Sequence, residues 1–209
     1  MNQTQFQQAA GISAGLAARW FPHIDAAMKE FSITAPIDQA MFIAQAGHES
    51  VSFNRLVESF NYSVAGLADF VRAGRLTQDQ ANSLGRRPNE SSLPLIRQRA
   101  IANLVYSKRM GNNAAGDGWF YRGRGLIQIT GLTNYRNCGN GLKVDLVAKP
   151  ELLVDDAYAA RSAAWFYFTN GCLRYPGDLS RVTQIINGGL NGLDDRRARF
   201  TKSYSVLVV

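Results

Sequence analysis

The strongest constraint on this chain is the spacing of its apolar residues, which recur at helical intervals. Ile24, Ala27, Met28 and Phe31 stand at i, i+3, i+4 and i+7, marking a short amphipathic helix that opens near Pro22. Ile37, Ala40, Met41, Ala44 and Gly47 repeat the pattern, and Pro36 suits a first helical turn because its missing N–H has no partner there anyway. This second pattern stops at Gly47-His48-Glu49, so Glu49 falls at a helix C-terminal end. Further helices are expected at 63–74, 77–84, 94–110, 155–170, 178–186 and from 193 onward, capped by Ser, Thr or Asp or ended by glycine. The chain therefore reads as mainly α. At 209 residues it fits one domain, 1–209, able to bury a core without metal or disulfide staples. A stretch rich in Arg, Asn, Gln and Ser, 72–98, marks either a small helical lobe beside a cleft, extending over about 72–117, or a decorated surface insertion.

Charge and residue usage exclude several functions. A net charge of +7 suits a polyanionic partner such as nucleic acid, an anionic membrane or an acidic wall polymer, or simply a solvated basic surface. The basic residues scatter without a dense stripe, which argues against nucleic acid. Two cysteines, Cys138 and Cys172, lack metal or redox spacing and are expected as unpaired thiols. The N-terminal stretch has no basic start followed by an apolar core, so synthesis in the cytoplasm without an export signal of its own is expected, with no stable membrane insertion. His48-Glu49 opens like a zinc-protease motif, but position 52 is serine, and His23 is the one other histidine. His48 is better read as a hydrogen-bonded support. No G-x-S-x-G elbow is present, and the GRG of YRGRGLIQ is followed by Gln128 where a nucleotide loop needs glycine. Neither a metal nor a cofactor is expected.

Two carboxylates remain, Glu49 and Glu58. Glycosidic hydrolysis needs a protonated acid for the leaving oxygen and an ionised partner that activates water or attacks the sugar. A helix C-terminus disfavours an ionised carboxylate, which suits Glu49 as the acid, while Glu58 lies in a polar stretch. Spacing alone equally fits two solvated side chains. Between 112 and 134 glycines gather, in a segment that reads as the floor of a site bearing Trp119, Tyr121, Arg122, Arg124, Gln128 and Thr130, or as a hairpin whose Trp119 and Phe120 plug the core.

Taken together, AQAGHES, VESFNYS, YRGRGLIQITGLTNY and IINGGLNG resemble, in order and over about 37–200, the family 19 glycoside hydrolases, a chitinase-like group that includes phage endolysins. The resemblance implies a lysozyme-like α+β fold with two lobes around a substrate cleft. It implies Glu49 as general acid, Glu58 as the base and Thr130 as the holder of the attacking water. Gln128, Asn134 and Asn187 match cleft-lining positions. Arg196 or Arg197 fills the place of an arginine near the cleft, and Arg197 is the expected one. Tyr62, Tyr121 and Trp119 would present faces to sugar or pack in the core. Such enzymes invert the anomeric centre, which requires carboxyls about 6.5–9.5 Å apart. Glu49 is expected to be raised by burial, the helix end and the charge of Glu58, with Glu58 ionised in a wetter setting.

The resemblance and the positive charge together imply a monomeric endolysin cutting bacterial peptidoglycan as a muramidase, reaching the wall from the host cytoplasm after holin-type permeabilisation. A chitinase, a lytic transglycosylase and a non-catalytic wall-binding module are the competing expectations.

Overall fold

The computed structural model describes residues 1–208, and its elements are helices joined by tight loops. They are α1 (Gln3–Ala10), α2 (Ala14–Glu30), α3 (Pro36–Glu49), α4 (Ala68–Arg72), α5 (Gln78–Leu84), α6 (Leu95–Tyr106), α7 (Asp117–Phe120), α8 (Leu132–Leu142), α9 (Asp156–Thr169), α10 (Leu179–Asn187) and α11 (Leu193–Leu207). Among the described residues the β component of the expected fold shrinks to isolated bridges, including Val57 with Arg124 and Arg124 with Ile129.

The helix expected to open near Pro22 begins earlier, at Ala14, where the Ser13 hydroxyl accepts the Leu16 N–H at 3.3 Å. Pro22 lies inside α2. The helix tolerates the lost hydrogen bond because one face buries Ala17, Trp20, Ile24, Ala27 and Met28. In α3, Pro36 takes the first turn as expected, and every residue from Ala40 to Gly47 is buried. Gly47 packs closely: a Cβ there would stand 3.3 Å from an Arg199 nitrogen and 3.6 Å from the Phe53 ring.

Three buried clusters organise the chain. The largest joins α1, α2, α3 and α9 with Leu126 and Ile127, and α11 lies along α3 and α1. A second gathers Phe60, Leu67, Leu76, Ala81, Leu93, Ile101, Ala102 and Val105, with Tyr62, Tyr106 and Trp119 packed on it. It opens at Phe60, ahead of residue 72, because the aromatics after Glu58 seed it. The third lies under α8 and holds Cys138, while Cys172 sits in the first, so the two buried thiols stay apart and unpaired.

Directly after Glu49 the chain makes an unusual turn. Val51, Ser52 and Phe53 have φ of 51°, 56° and 65°, successive left-handed residues that cost roughly 1–2 kcal/mol each. Ser52 N–H donates to Gly47 O at 2.7 Å, Arg55 N–H to Ser50 O at 2.8 Å, and the buried Trp20 indole to Phe53 O at 3.0 Å. These bonds hold the turn that carries the chain from Glu49 towards Glu58.

Candidate active site

Glu58 lies in the loop after this turn, fastened to the glycine-rich segment by its own backbone. Its N–H donates to Gly123 O at 2.9 Å, and Gly123 N–H returns a bond to Glu58 Oε2 at 3.1 Å. The Tyr106 hydroxyl, from the end of α6, donates to Oε1 at 2.8 Å. A Cβ at Gly123 would stand 2.8 Å from Gln128 Oε1 and 3.2 Å from the Glu58 side chain, so any larger residue would displace the Gln128 amide. Burial raises Glu58 above the usual carboxylate range, and the bonds from Tyr106 and Gly123 with the charge of Arg122 only partly oppose it. Burial, and then the charge of Glu58, raises Tyr62 and Tyr106. Both phenols therefore stay protonated, and Tyr106 stays a donor.

Glu49, the last residue of α3, faces a different partner. The Arg196 guanidinium, 0% exposed, donates to Glu49 Oε1, to Gln45 Oε1 and, at 3.3 Å, to Asn191 O. Gln45 in turn donates to Thr183 Oγ1 at 3.1 Å, tying α3 to α10. One helical turn further along α10, on the same face, stands the exposed Asn187. Beside Glu49, His48 Nδ1 meets Asp195 Oδ2 at 2.6 Å, and Arg199 donates to the same oxygen at 2.7 Å. Burial would raise Asp195, but the Arg199 and His48 hydrogen bonds outweigh it and hold this carboxyl below its usual range. His48 is the hydrogen-bonded support expected of it.

Gln128, Thr130 and Asn134 form one ladder from Gly123 outward. Gln128 adopts φ of 52° and its amide donates to Gly125 O at 2.7 Å, leaving Oε1 towards Gly123 and Glu58. The Thr130 hydroxyl donates to Gln128 O at 2.8 Å, and the Asn134 amide donates to Thr130 O at 2.8 Å. All three line a cavity of about 500 Å³ with Asn137, Asn140, Trp165 and Asn170. With its proton turned to Gln128 O, the Thr130 hydroxyl presents an oxygen that accepts from a water.

The structure corrects three expectations. Arg196, not Arg197, reaches Glu49: Arg197 is 57% exposed and pairs with Asp194 at 3.0 Å. Successive helical residues point about 100° apart, so only one of the two can face α3. Tyr121 is no sugar platform, being 7% exposed, edge-on to Phe120 and Tyr135, with its hydroxyl on Val147 O at 3.2 Å. Burial weighs on Glu58 and raises it, where a wetter base was expected, and Glu49 has a cation against it that the helix-end argument did not contain. Tyr62 is partly buried between Phe60 and Phe70 near Glu58, and Trp119 packs beside Phe60. Tyr106 carries no motif and Gln45 sits in AQAGHES without an assigned role, so only the fold reveals what they do.

Comparison with known proteins bears on this geometry. The chain is 37% identical over 199 residues to a "Glycosyl hydrolase family 19 domain-containing protein" of Haemophilus influenzae, covering 90% of this chain and 92% of that one. The chain belongs to glycoside hydrolase family 19. It is a glycoside hydrolase. A family description, "Chitinase class I", matches residues 95–176, which include Tyr106, Gln128, Thr130 and Asn134. Rice "Chitinase 8" is 48% identical over 93 residues, covering 34% of this chain and 35% of its own. Chitinase C of Streptomyces griseus superposes with a TM-score of 0.59 at 20% identity, covering 100% of this chain and 76% of that one. A bacterial family 19 chitinase superposes at 0.56, also at 20% identity, covering 100% and 95%. These family 19 structures share the lysozyme-like fold.

Proposed function

We propose that this family 19 glycoside hydrolase cuts the β-1,4-linked glycan strand of bacterial peptidoglycan, as a muramidase, by single displacement with inversion. In this reading Glu58 is the base. The observation that carries it is the hydrogen-bond polarity around Glu58. Tyr106 and Gly123 each donate to one of its oxygens, which keeps the carboxylate oriented as an acceptor. The Thr130 oxygen is likewise left to accept. A water placed between them would donate a hydrogen bond to each and turn a lone pair to the anomeric carbon, and as it attacks Glu58 takes up one of its protons. Burial makes Glu58 a stronger base than an exposed glutamate, provided it is ionised at the working pH. Glu49 is the acid: it rests as a carboxylate against Arg196 at the end of α3 and takes up a proton before it serves the leaving oxygen, and Gln128, Asn134 and Asn187 contact the sugar.

The net charge of +7 favours approach to an acidic wall over uncharged chitin. The biological role that fits is a phage endolysin acting as a monomer, made in the host cytoplasm and reaching the wall after holin-type permeabilisation. A chitinase is the second reading, favoured by the description that matches 95–176.

Digestion of purified peptidoglycan, with reducing ends identified by mass spectrometry and the first-formed anomer by NMR, tests the proposal. New muramic acid ends of inverted configuration are expected. Glucosamine ends would make it a glucosaminidase, and anhydro sugars a transglycosylase. Cleavage of chitin oligomers with an untouched wall would make it a chitinase.

A further inference from the structure

Beside Glu58 lies a group of arginines that the hydrolytic chemistry does not use. Arg122 immediately precedes Gly123, the residue bonded in both directions to Glu58. Its guanidinium lies 3.9 Å from the centre of the Trp119 ring, and its Nη1 donates to Trp119 O at 2.8 Å. Arg99, exposed on α6, brings a second guanidinium to 5.6 Å from the same ring. Trp119 is itself fixed: its N–H donates to Asn103 Oδ1 at 2.8 Å, and its ring packs 6.1 Å from that of Phe60.

Neither Arg99 nor Arg122 belongs to any ion pair among the described residues, although Arg72 and Arg97 nearby do. The charge of Glu58 bears on Arg122, but the two form no ion pair; the Glu58 oxygens accept instead from Tyr106 and Gly123. Arg124 adds a third positive charge to the group. It is occupied internally, donating to Phe120 O at 2.7 Å and Tyr135 Oη at 2.8 Å. Gathered cations repel one another: burial and then Arg124 lower Arg122 to about 10, and the charge of Glu58 offsets this only in part. An arginine stacked on an aromatic ring keeps its planar fork in place for a planar anion, with little side-chain entropy left to lose.

We propose that Arg122 and Arg99, gathered on Trp119 beside Glu58, form a carboxylate-binding site that seats an acidic group of the peptidoglycan strand while the neighbouring glycosidic bond is cut. The inference rests on the peptidoglycan reading above and names how that substrate would be told from chitin, which has no carboxylate. Two groups could supply the anion: a carboxylate of the stem peptide, or the lactyl carboxylate exposed once that peptide is removed.

The test compares three substrates. They are intact wall, wall whose carboxylates are converted to amides with carbodiimide and ammonia, and strands stripped of stem peptides by an amidase. For the wild type, amidation is expected to lower kcat/KM about tenfold, the worth of one charge-assisted contact. In R99Q and R122Q amidation should matter progressively less, because substrate and protein then lose the same interaction. R99Q changes an exposed side chain and keeps the test valid if R122Q folds poorly, which thermal melting would reveal. Stripped strands cut as efficiently as intact wall identify the lactyl group, and a drop equal to that on amidation identifies the peptide. An unaltered amidation penalty in both variants overturns the inference while leaving peptidoglycan as substrate. A wild type that is blind to amidation does the same. A wild type that cuts chitin oligomers but none of the walls overturns the peptidoglycan reading and the inference together.

Discussion

Removing Arg196 tests the arrangement around Glu49 most directly. R196M deletes a guanidinium with no exposed surface that donates to Glu49, Gln45 and the Asn191 carbonyl. Breaking a buried pair from one side costs about 3–5 kcal/mol, because the surviving charge loses its counter-ion. Here the survivor is Glu49, whose side chain is 19% exposed. Water reaches it in part, so the cost falls at or below the lower end of that range, about 2–3 kcal/mol. For a chain of this length each kcal/mol shifts Tm by about 2–4 °C, so the loss should be roughly 4–12 °C. E49Q leaves the buried guanidinium with a neutral acceptor in place of a charged one, at a cost of about 1–2 kcal/mol. If the two side chains form one unit, the double variant should be more stable than the sum of the single losses implies, by more than about 1 kcal/mol. Thermal and urea denaturation of the four proteins measures this. Losses that add within about 0.5 kcal/mol would refute the pairing. Activity gives an independent reading: E49Q should lose nearly all turnover, whereas R196M should lower kcat more than it changes KM.

Three further outcomes follow from burial. Because burial raises Glu58, the folded chain holds that proton to higher pH than the unfolded chain; the stability this gives is complete below the ordinary value of 4.5 and is lost as pH rises through the folded value. E58Q cannot ionise and should therefore melt higher than the wild type at neutral pH while being inactive, with the gap closing in acid; a variant that melts lower at pH 7 would contradict the assigned burial. A base must be ionised to work, so kcat/KM should fall with decreasing pH at a midpoint above 4.5, and a midpoint at or below it would remove Glu58 from that role. Burial pushes both cysteine thiols up to about 12, so a disulfide reagent at pH 8 should label Cys138 and Cys172 only after unfolding; prompt labelling of the native protein would disprove their enclosure.

Most helices were legible where local chemistry decides an end. Pro36 opens α3, Thr77 and Gln80 make the capping box of α5, and Asp155 and Asp178 cap α9 and α10. Of the three helices outside the expected ones, α1, α7 and α8, the first and last were hidden for physical reasons. The α1 sequence QTQFQQAA has few apolar residues, and its marker is a capping box between Asn2 and Gln5. The α8 sequence LTNYRNCGNGL combines poor helix formers. It is helical because Tyr135, Cys138 and Leu142 are buried on one face and because Gly139 and Gly141 admit close neighbours. A Cβ on Gly139 would stand 2.6 Å from Val144 O, and one on Gly141 2.1 Å from the Trp165 indole nitrogen. Those glycines read as breakers along the chain, yet in three dimensions they are contact surfaces.

For the site, short motifs located the carboxylates but not their surroundings. From sequence, the environment of Glu49 was argued from the helix end, an effect worth about 0.3–1 kcal/mol at an exposed terminus. The cation that faces it comes from 147 residues away. Whether Arg196 or Arg197 supplies it depends on the phase of α11, which a one-residue change in the helix start would rotate by about 100°. The environment of Glu58 likewise depends on Tyr106, 48 residues distant, and on the backbone of Gly123, 65 residues distant. Residue type therefore tells which groups can carry the chemistry, while packing decides their electrostatics. A polar neighbourhood in sequence did not leave Glu58 wet, because the aromatics that follow it form a core of their own. The same packing leaves Arg99 and Arg122 together on Trp119 without a carboxylate partner. The half-buried base and the unpaired arginines both lie against the small cluster built on Phe60, and a variant that loosens this cluster should disturb both at once.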